Sequence, residues 1–148
     1  MDSHSPEIAA YQAVLEGHRT LRGLIGQIDE ALAKKTATVA EVSDLLARLG
    51  DQLVKHFALE EEGGYFAEAL THAPQLVARA NALLAQHPKM HAQARSLTAD
   101  VGPGQDQDQW WQETGARFQA FKAELLKHER HEDTLLQEAY TQDLGSHD

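Results

Sequence analysis

The sequence predicts an all-α fold, an up-down-up-down antiparallel four-helix bundle, and three observations predict it. Four segments repeat apolar residues at the i, i+3, i+4 spacing of a helix with one buried stripe. Helix-start signals stand before the first two of them. Glycine and proline are sparse and the connectors mostly short, which favours antiparallel neighbours.

The first helix is announced by Ser5-Pro6-Glu7, a capping serine followed by proline and an acid in the first turn. It is expected over about residues 6–33, with Tyr11, Val14, Leu15, Leu21, Ile25, Ile28 and Leu32 on the inner stripe and His18 among them. Thr38 and Glu41 have the spacing of a capping box and open a second helix, about 39–70. Its stripe reads Val42, Leu45, Leu46, Leu49, Leu53, His56, Glu60 and Ala67. The turn Thr71-His72-Ala73-Pro74 leads to a third helix, about 74–98, through Val77, Ala80, Leu84, His87, His91 and Ala94. Pro88 should kink it, because proline has no N–H for the carbonyl of Leu84 and disfavours helical geometry at His87. A loop, Asp100 to Asp108, precedes the fourth helix, about 109–140, whose stripe is Phe118, Phe121, Leu125, His128, Glu132 and Leu135.

A chain of 148 residues, 42% of them apolar, is long enough for one core and short for two, so a single domain over 1–148 is expected. No stretch approaches the roughly 20 apolar residues of a membrane span. Met1 to Ala10 lacks a basic region followed by an apolar run, so the expectation is a soluble, cytoplasmic protein. A net charge of -10 repels phosphate backbones and anionic lipid, which sets nucleic acid and membrane aside as partners. With no cysteine, disulfides, thiolate zinc sites, iron–sulfur clusters and cysteine nucleophiles are excluded together. Any metal must be held by nitrogen and oxygen, and the nine histidines decide where.

Each predicted helix carries an inward histidine, and three carry a pair: His56 with Glu60, His87 with His91, and His128 with Glu132 or Asp133. Residues four apart share a helix face, so two side chains can converge on one ion or on adjacent ions. One such pair is a weak signal. Seven polar residues on four buried stripes at roughly matching depth are a strong one, since each would cost several kcal/mol unpaired in a dry core. His4, His72 and His147 lie at termini or in a turn, and His131 lies off the stripe, so all four are expected to face solvent. Glu61 and Glu62 read as a solvated face, and Glu124, one turn before His128, as a candidate partner behind the ligands.

Taken in order, His18, His56-x-x-x-Glu60, His87-x-x-x-His91 and His128-x-x-x-x-Asp133 resemble the ligand pattern of the hemerythrin-like family, across the whole chain. The resemblance implies two iron ions joined by an oxo or hydroxo group, one held by His87, His91 and His128, the other by His18 and His56, with Glu60 and Asp133 bridging. Helical geometry favours Glu132, at i+4 from His128, over Asp133 at i+5; the resemblance favours Asp133, so Asp133 is the expectation and Glu132 the alternative. The ion with fewer histidines would keep an open position for dioxygen. The implied function is dioxygen binding for carriage, storage or sensing. The alternative is a di-iron oxidoreductase: peroxidase or catalase-like, nitric-oxide-handling, or an oxidase of an organic substrate, served by an electron donor. Imidazole and carboxylate donors around six-coordinate ions suit iron better than tetrahedral zinc, with manganese left open.

Overall fold

The computed structural model describes residues 6–34, 37–62, 70–71, 73–98 and 106–145, excepting the side chains of 6–11, 140 and 142–145. Among the described residues there is no strand. The helices are α1 (Pro6–Lys34), α2 (Val39–Glu62), a 3-10 turn (Pro74–Leu76), α3 (Val77–Leu84), α4 (His87–Ser96) and α5 (Gln107–Gly145). Helix α1 packs on α2 and α5, α2 on α4, and α5 on α3 and α4, which closes a ring of contacts around a central core. None of these helices is long and apolar enough to cross a membrane.

Local chemistry explains most boundaries. Thr38 Oγ1 accepts the N–H of Glu41 at 3.1 Å, so α2 begins where the capping box lies. Helix α5 begins two residues earlier than the sequence suggests, because Asp106 Oδ1 accepts the N–H of Gln109 and caps the first turn. Ser5, His72, Ala67 and the tip of the glycine-rich loop lie outside the described residues.

The third segment is where the expected kink becomes a full break. Helix α3 ends at Leu84, Ala85 and Gln86 form a turn, and α4 restarts with His87 and Pro88 as its first two residues. Proline suits that place, since the first N–H groups of a helix have no partner within it. The break also sets the register. The buried residues are Leu76, Ala80, Leu83, His87, Met90, Ala94 and Leu97, so the stripe passes through Met90 rather than His91, while Val77 turns outward and Leu84 is only partly buried at the edge of the second apolar cluster. Placing the thioether inside avoids desolvating a second imidazole.

The apolar core is divided in two. One cluster holds Leu21, Ile25, Leu46, Leu53, Met90, Phe118, Phe121 and Leu125. The other holds Val14, Leu76, Ala80, Leu83, Leu135 and Leu136. Along α1, His18 falls between Val14 and Leu21; along α5, His128 and Glu132 fall between Leu125 and Leu135; His87 falls between Leu83 and Met90. A polar layer thus separates the two apolar clusters.

Candidate metal centre

That layer consists of His18 on α1, His56 and Glu60 on α2, His87 on α4, and His128 and Glu132 on α5, each 3% exposed or less. His18, His56, Glu60 and Glu132 offer donor atoms within 4.8 Å of one another, and so do Glu60, His87, His128 and Glu132. The two carboxylates belong to both groups. Glu132 divides its oxygens, with Oε1 lying 3.2 Å from His18 Nε2 and Oε2 lying 3.1 Å from His128 Nε2. Glu60 Oε1 stands 3.3 Å from His56 Nε2 and 3.5 Å from His87 Nε2. The Nε2 atoms of His87 and His128 are 3.2 Å apart.

These separations fit cations. Donors about 2.1 Å from one first-row ion and at right angles to each other stand roughly 3 Å apart. Several of the buried donors also lack any hydrogen-bond partner, among them His56 Nε2, both oxygens of Glu60 and Oε2 of Glu132. Uncompensated polar atoms of this kind are costly, and a cation between them would satisfy all of them at once.

The outer ring nitrogens have their own neighbours. Glu61 Oε2 lies 3.2 Å from His87 Nδ1, and Gln86 Oε1 lies 2.8 Å from His128 Nδ1. Asp133 Oδ1 lies 3.2 Å from His18 Nδ1, although the two atoms are not aligned for a hydrogen bond. His56 Nδ1 has no polar partner and faces Gly17 instead. A Cβ on Gly17 would come within 2.8 Å of His56 Cε1 and nearer still to Nδ1, so glycine is what lets that ring approach α1. Such outer contacts fix the tautomer and aim of a metal-binding imidazole.

Of the residues expected to ligate, His18, His56, Glu60, His87 and His128 are therefore brought together. His91 and Asp133 stand outside both groups. His91 is half-buried at a surface cleft, one residue past the inward Met90. Asp133 is 25% exposed, on the far side of His18, where Arg22 Nη2 lies 3.8 Å from its Oδ2. Glu132 occupies the place between the histidines, as one helical turn from His128 requires. Glu124 is exposed. The buried acid behind the layer is Glu129, whose Oε2 accepts from Arg22 Nε at 3.4 Å. His131 is exposed, and His4, His72 and His147 lie outside the described residues.

The crowding shifts protons. Burial pulls the His18 imidazole down, but Asp133 and Glu132 outweigh it and raise it to about 9. His56 has no such support, so burial and then the neighbouring His18 lower it to about 4. Burial, followed by the nearby Glu132, pushes the Glu60 carboxyl far up. Burial acts the same way on Glu132, but its close neighbours Glu60, His128 and His18 prevail and hold it well below the usual range. The pair thus behaves as one carboxylate and one carboxylic acid. Glu129 is raised to about 7, by burial above all and against the pull of His18 and Arg22.

Glu129, Arg22, Gln86 and Gly17 are functional neighbours that the sequence reading missed. Gly17 carried a signal, an isolated glycine inside a helical pattern. Glu129 carried a weaker one, four residues after Leu125 on the buried side of α5. Gln86 carried none.

Helices throughout the described residues, around a buried layer of four histidines and two glutamates that could hold a cation, are the class that this fold and site define. The family model described as the hemerythrin HHE cation binding domain matches residues 9–140, and the chain belongs to that family. No curated protein and no solved structure matches it.

Proposed function

We propose that this chain is a non-haem di-iron oxidoreductase acting on dioxygen or a related small oxidant. His18 and His56 would hold one ion, His87 and His128 the other, with Glu60 and Glu132 shared between them. One observation carries this reading: Glu132 lies inside the layer and His91 outside it, so the histidines divide two and two. Neither ion is then crowded with protein ligands, and both keep positions for an incoming molecule. When bound, an iron pair would supply redox electrons and Lewis acidity. The protein supplies the rest. Its two apolar clusters keep bulk water from the layer, Glu61 and Gln86 orient His87 and His128, and Arg22 fixes Glu129 and Asp133 beside His18.

Reversible dioxygen carriage is the second reading, favoured by the near-complete burial of the layer. The single-domain organisation over residues 1–148, the up-down-up-down order of the helices, an electron donor as partner and a cytoplasmic location belong to the same proposal. They rest on the sequence patterns described above.

The test is an absorption spectrum of anaerobically reduced protein before and after air, with metal analysis on the same sample. We expect about two irons per chain, as a shared-carboxylate two-metal site requires, and direct conversion to the ferric spectrum. A band that forms with air and vanishes when oxygen is removed would favour carriage. A colourless, iron-free protein that cannot be reconstituted would rule out both. Glu132→Ala should lower the iron content sharply, whereas His91→Ala should leave it unchanged.

A further inference from the structure

One imidazole, that of His87, belongs both to the buried layer and to the wall of a surface cleft. A cleft of about 370 Å3 between the end of α2 and the start of α4 is lined by Val54, Phe57, Ala58, Glu61, Pro88 and His91, with Glu62 at its edge and His87 in its wall. The Nδ1 atom of His87 meets Glu61, itself part of the cleft, while Nε2 of the same ring points to His128 and Glu60 in the layer. Phe57 lies flat against that ring, with centroids 3.8 Å apart and planes 5° from parallel, and meets His128 edge-on at 6.1 Å. Three other clefts among the described residues do not reach the layer in this way. Those containing Arg79, Gln86 and His131, or Thr20, Gln27 and Lys55, or Gln137, Glu138 and Thr141, are lined by none of the six residues.

The lining also selects by charge. Val54, Phe57, Ala58 and Pro88 give apolar walls, and Val54 is 48% exposed at the mouth. Glu61 and Glu62 place two carboxylates at the rim. Small uncharged molecules lose little on entering such a channel, whereas an anion meets repulsion in a region of reduced dielectric.

We propose that this cleft is the port by which small uncharged molecules reach the centre, with the Phe57–His87 stack as its inner door and Glu61 and Glu62 turning anions away. The inference rests on the reading of the centre as a site for a small oxidant, and it assigns the route and the charge selectivity of that site. Passage requires the Phe57 ring to swing off His87, which stays held by Glu61 with the other ligands.

The experiment has two arms. The first uses the full chain without metal, so it does not depend on iron. Dissolved dioxygen is paramagnetic, and it should broaden the methyl resonances of Val54 and Ala58 in NMR spectra more than that of Ala82, which lines the cleft beside Gln86. The second uses iron-loaded protein and follows nitric oxide association by stopped flow. Val54→Trp, at an exposed position, should slow association by about tenfold, a barrier rise of about 1.4 kcal/mol, without changing iron content. Ala82→Trp should have no effect. Glu62→Gln should speed azide binding at low salt and leave nitric oxide unchanged. Broadening that favours Ala82, or is equal in both clefts, would overturn the port. So would a wild-type rate in Val54→Trp with slowing in Ala82→Trp. If the chain takes no iron while dioxygen still gathers at Val54 and Ala58, the reading of the centre fails and the port stands.

Discussion

His18 and His56 approach the shared carboxylates from within two long helices, α1 and α2, whereas His87 approaches from the first residue of a helix restarted by proline. The two sides also differ in what stands behind the rings. His87 and His128 each have an oriented hydrogen-bond partner, Glu61 and Gln86. On the other side, Asp133 lies near His18 without alignment, and His56 has only the bare backbone of Gly17. The same donor types are thus aimed by polar contacts on one side and mainly by steric fit on the other. Steric aiming is unforgiving of added atoms, and polar aiming is sensitive to loss of an acceptor.

The largest expected effect breaks the first side alone. Gly17→Ala drives a methyl into the His56 ring, so, with two ions bound as proposed, metal analysis should find one lost and the other retained. Gly23→Ala is the control, because a Cβ there meets nothing within 4 Å, and it should keep the full metal content. Stabilisation of that variant by about 0.5–1 kcal/mol is expected, since alanine is the better helix former. Loss of both ions in Gly17→Ala would show that the two sides are not independent.

A second contrast is in protons. His18 is raised from 6.5 to about 9, so the folded, metal-free chain retains a proton that the unfolded chain releases. That contribution is fully present below pH 6.5 and is lost as the pH rises to 9, by roughly 3 kcal/mol for this group alone. The raised Glu60 acts in the same direction across that window. Depressed to about 4, His56 acts oppositely, and its contribution fades only as the pH falls from 6.5. Thermal melts of metal-free protein should therefore show Tm falling between pH 6.5 and 9. Metal-loaded protein should show little change, because the cation replaces these protons. A flat metal-free profile would mean that His18 holds no extra proton.

The smallest effects sharpen the comparison. Gln86→Leu removes the acceptor behind His128, and Asp133→Asn removes the charge behind His18. Competition with a chelator should give affinity losses of about 10- to 100-fold for Gln86→Leu, the range for contacts behind a ligand. Asp133→Asn should lose less, given its poorer alignment, and should keep both ions. Complete loss of an ion in Asp133→Asn would instead make Asp133 a ligand, as the resemblance implied.

Much of this was legible in the residues. His18, His56 and Glu60 lie on stripes whose neighbours are unambiguously apolar, so their burial followed from period alone. The fourth helix offered two answers, and plain geometry pointed to Glu132 while the family resemblance pointed to Asp133. The third segment was the hardest. Its sequence supports two inner registers, one through Leu84 and His91 and one through Leu83 and Met90, with His87 common to both. Periodicity cannot choose between them, and a proline that interrupts the helix resets the phase at the point where the choice is made.

By itself, then, the sequence determined the all-helical fold, the exclusion of thiolate chemistry, and the presence of inward histidines, because hydrophobic period and residue type are local properties. Only the tertiary structure decided which atoms meet. Whether His91 or Met90 faces inward, which acid shares the histidines, and that Gly17, Gln86 and Glu61 stand behind the rings all depend on helices distant in sequence. Those contacts are set by how helices rotate and break against one another, which a one-dimensional pattern does not encode.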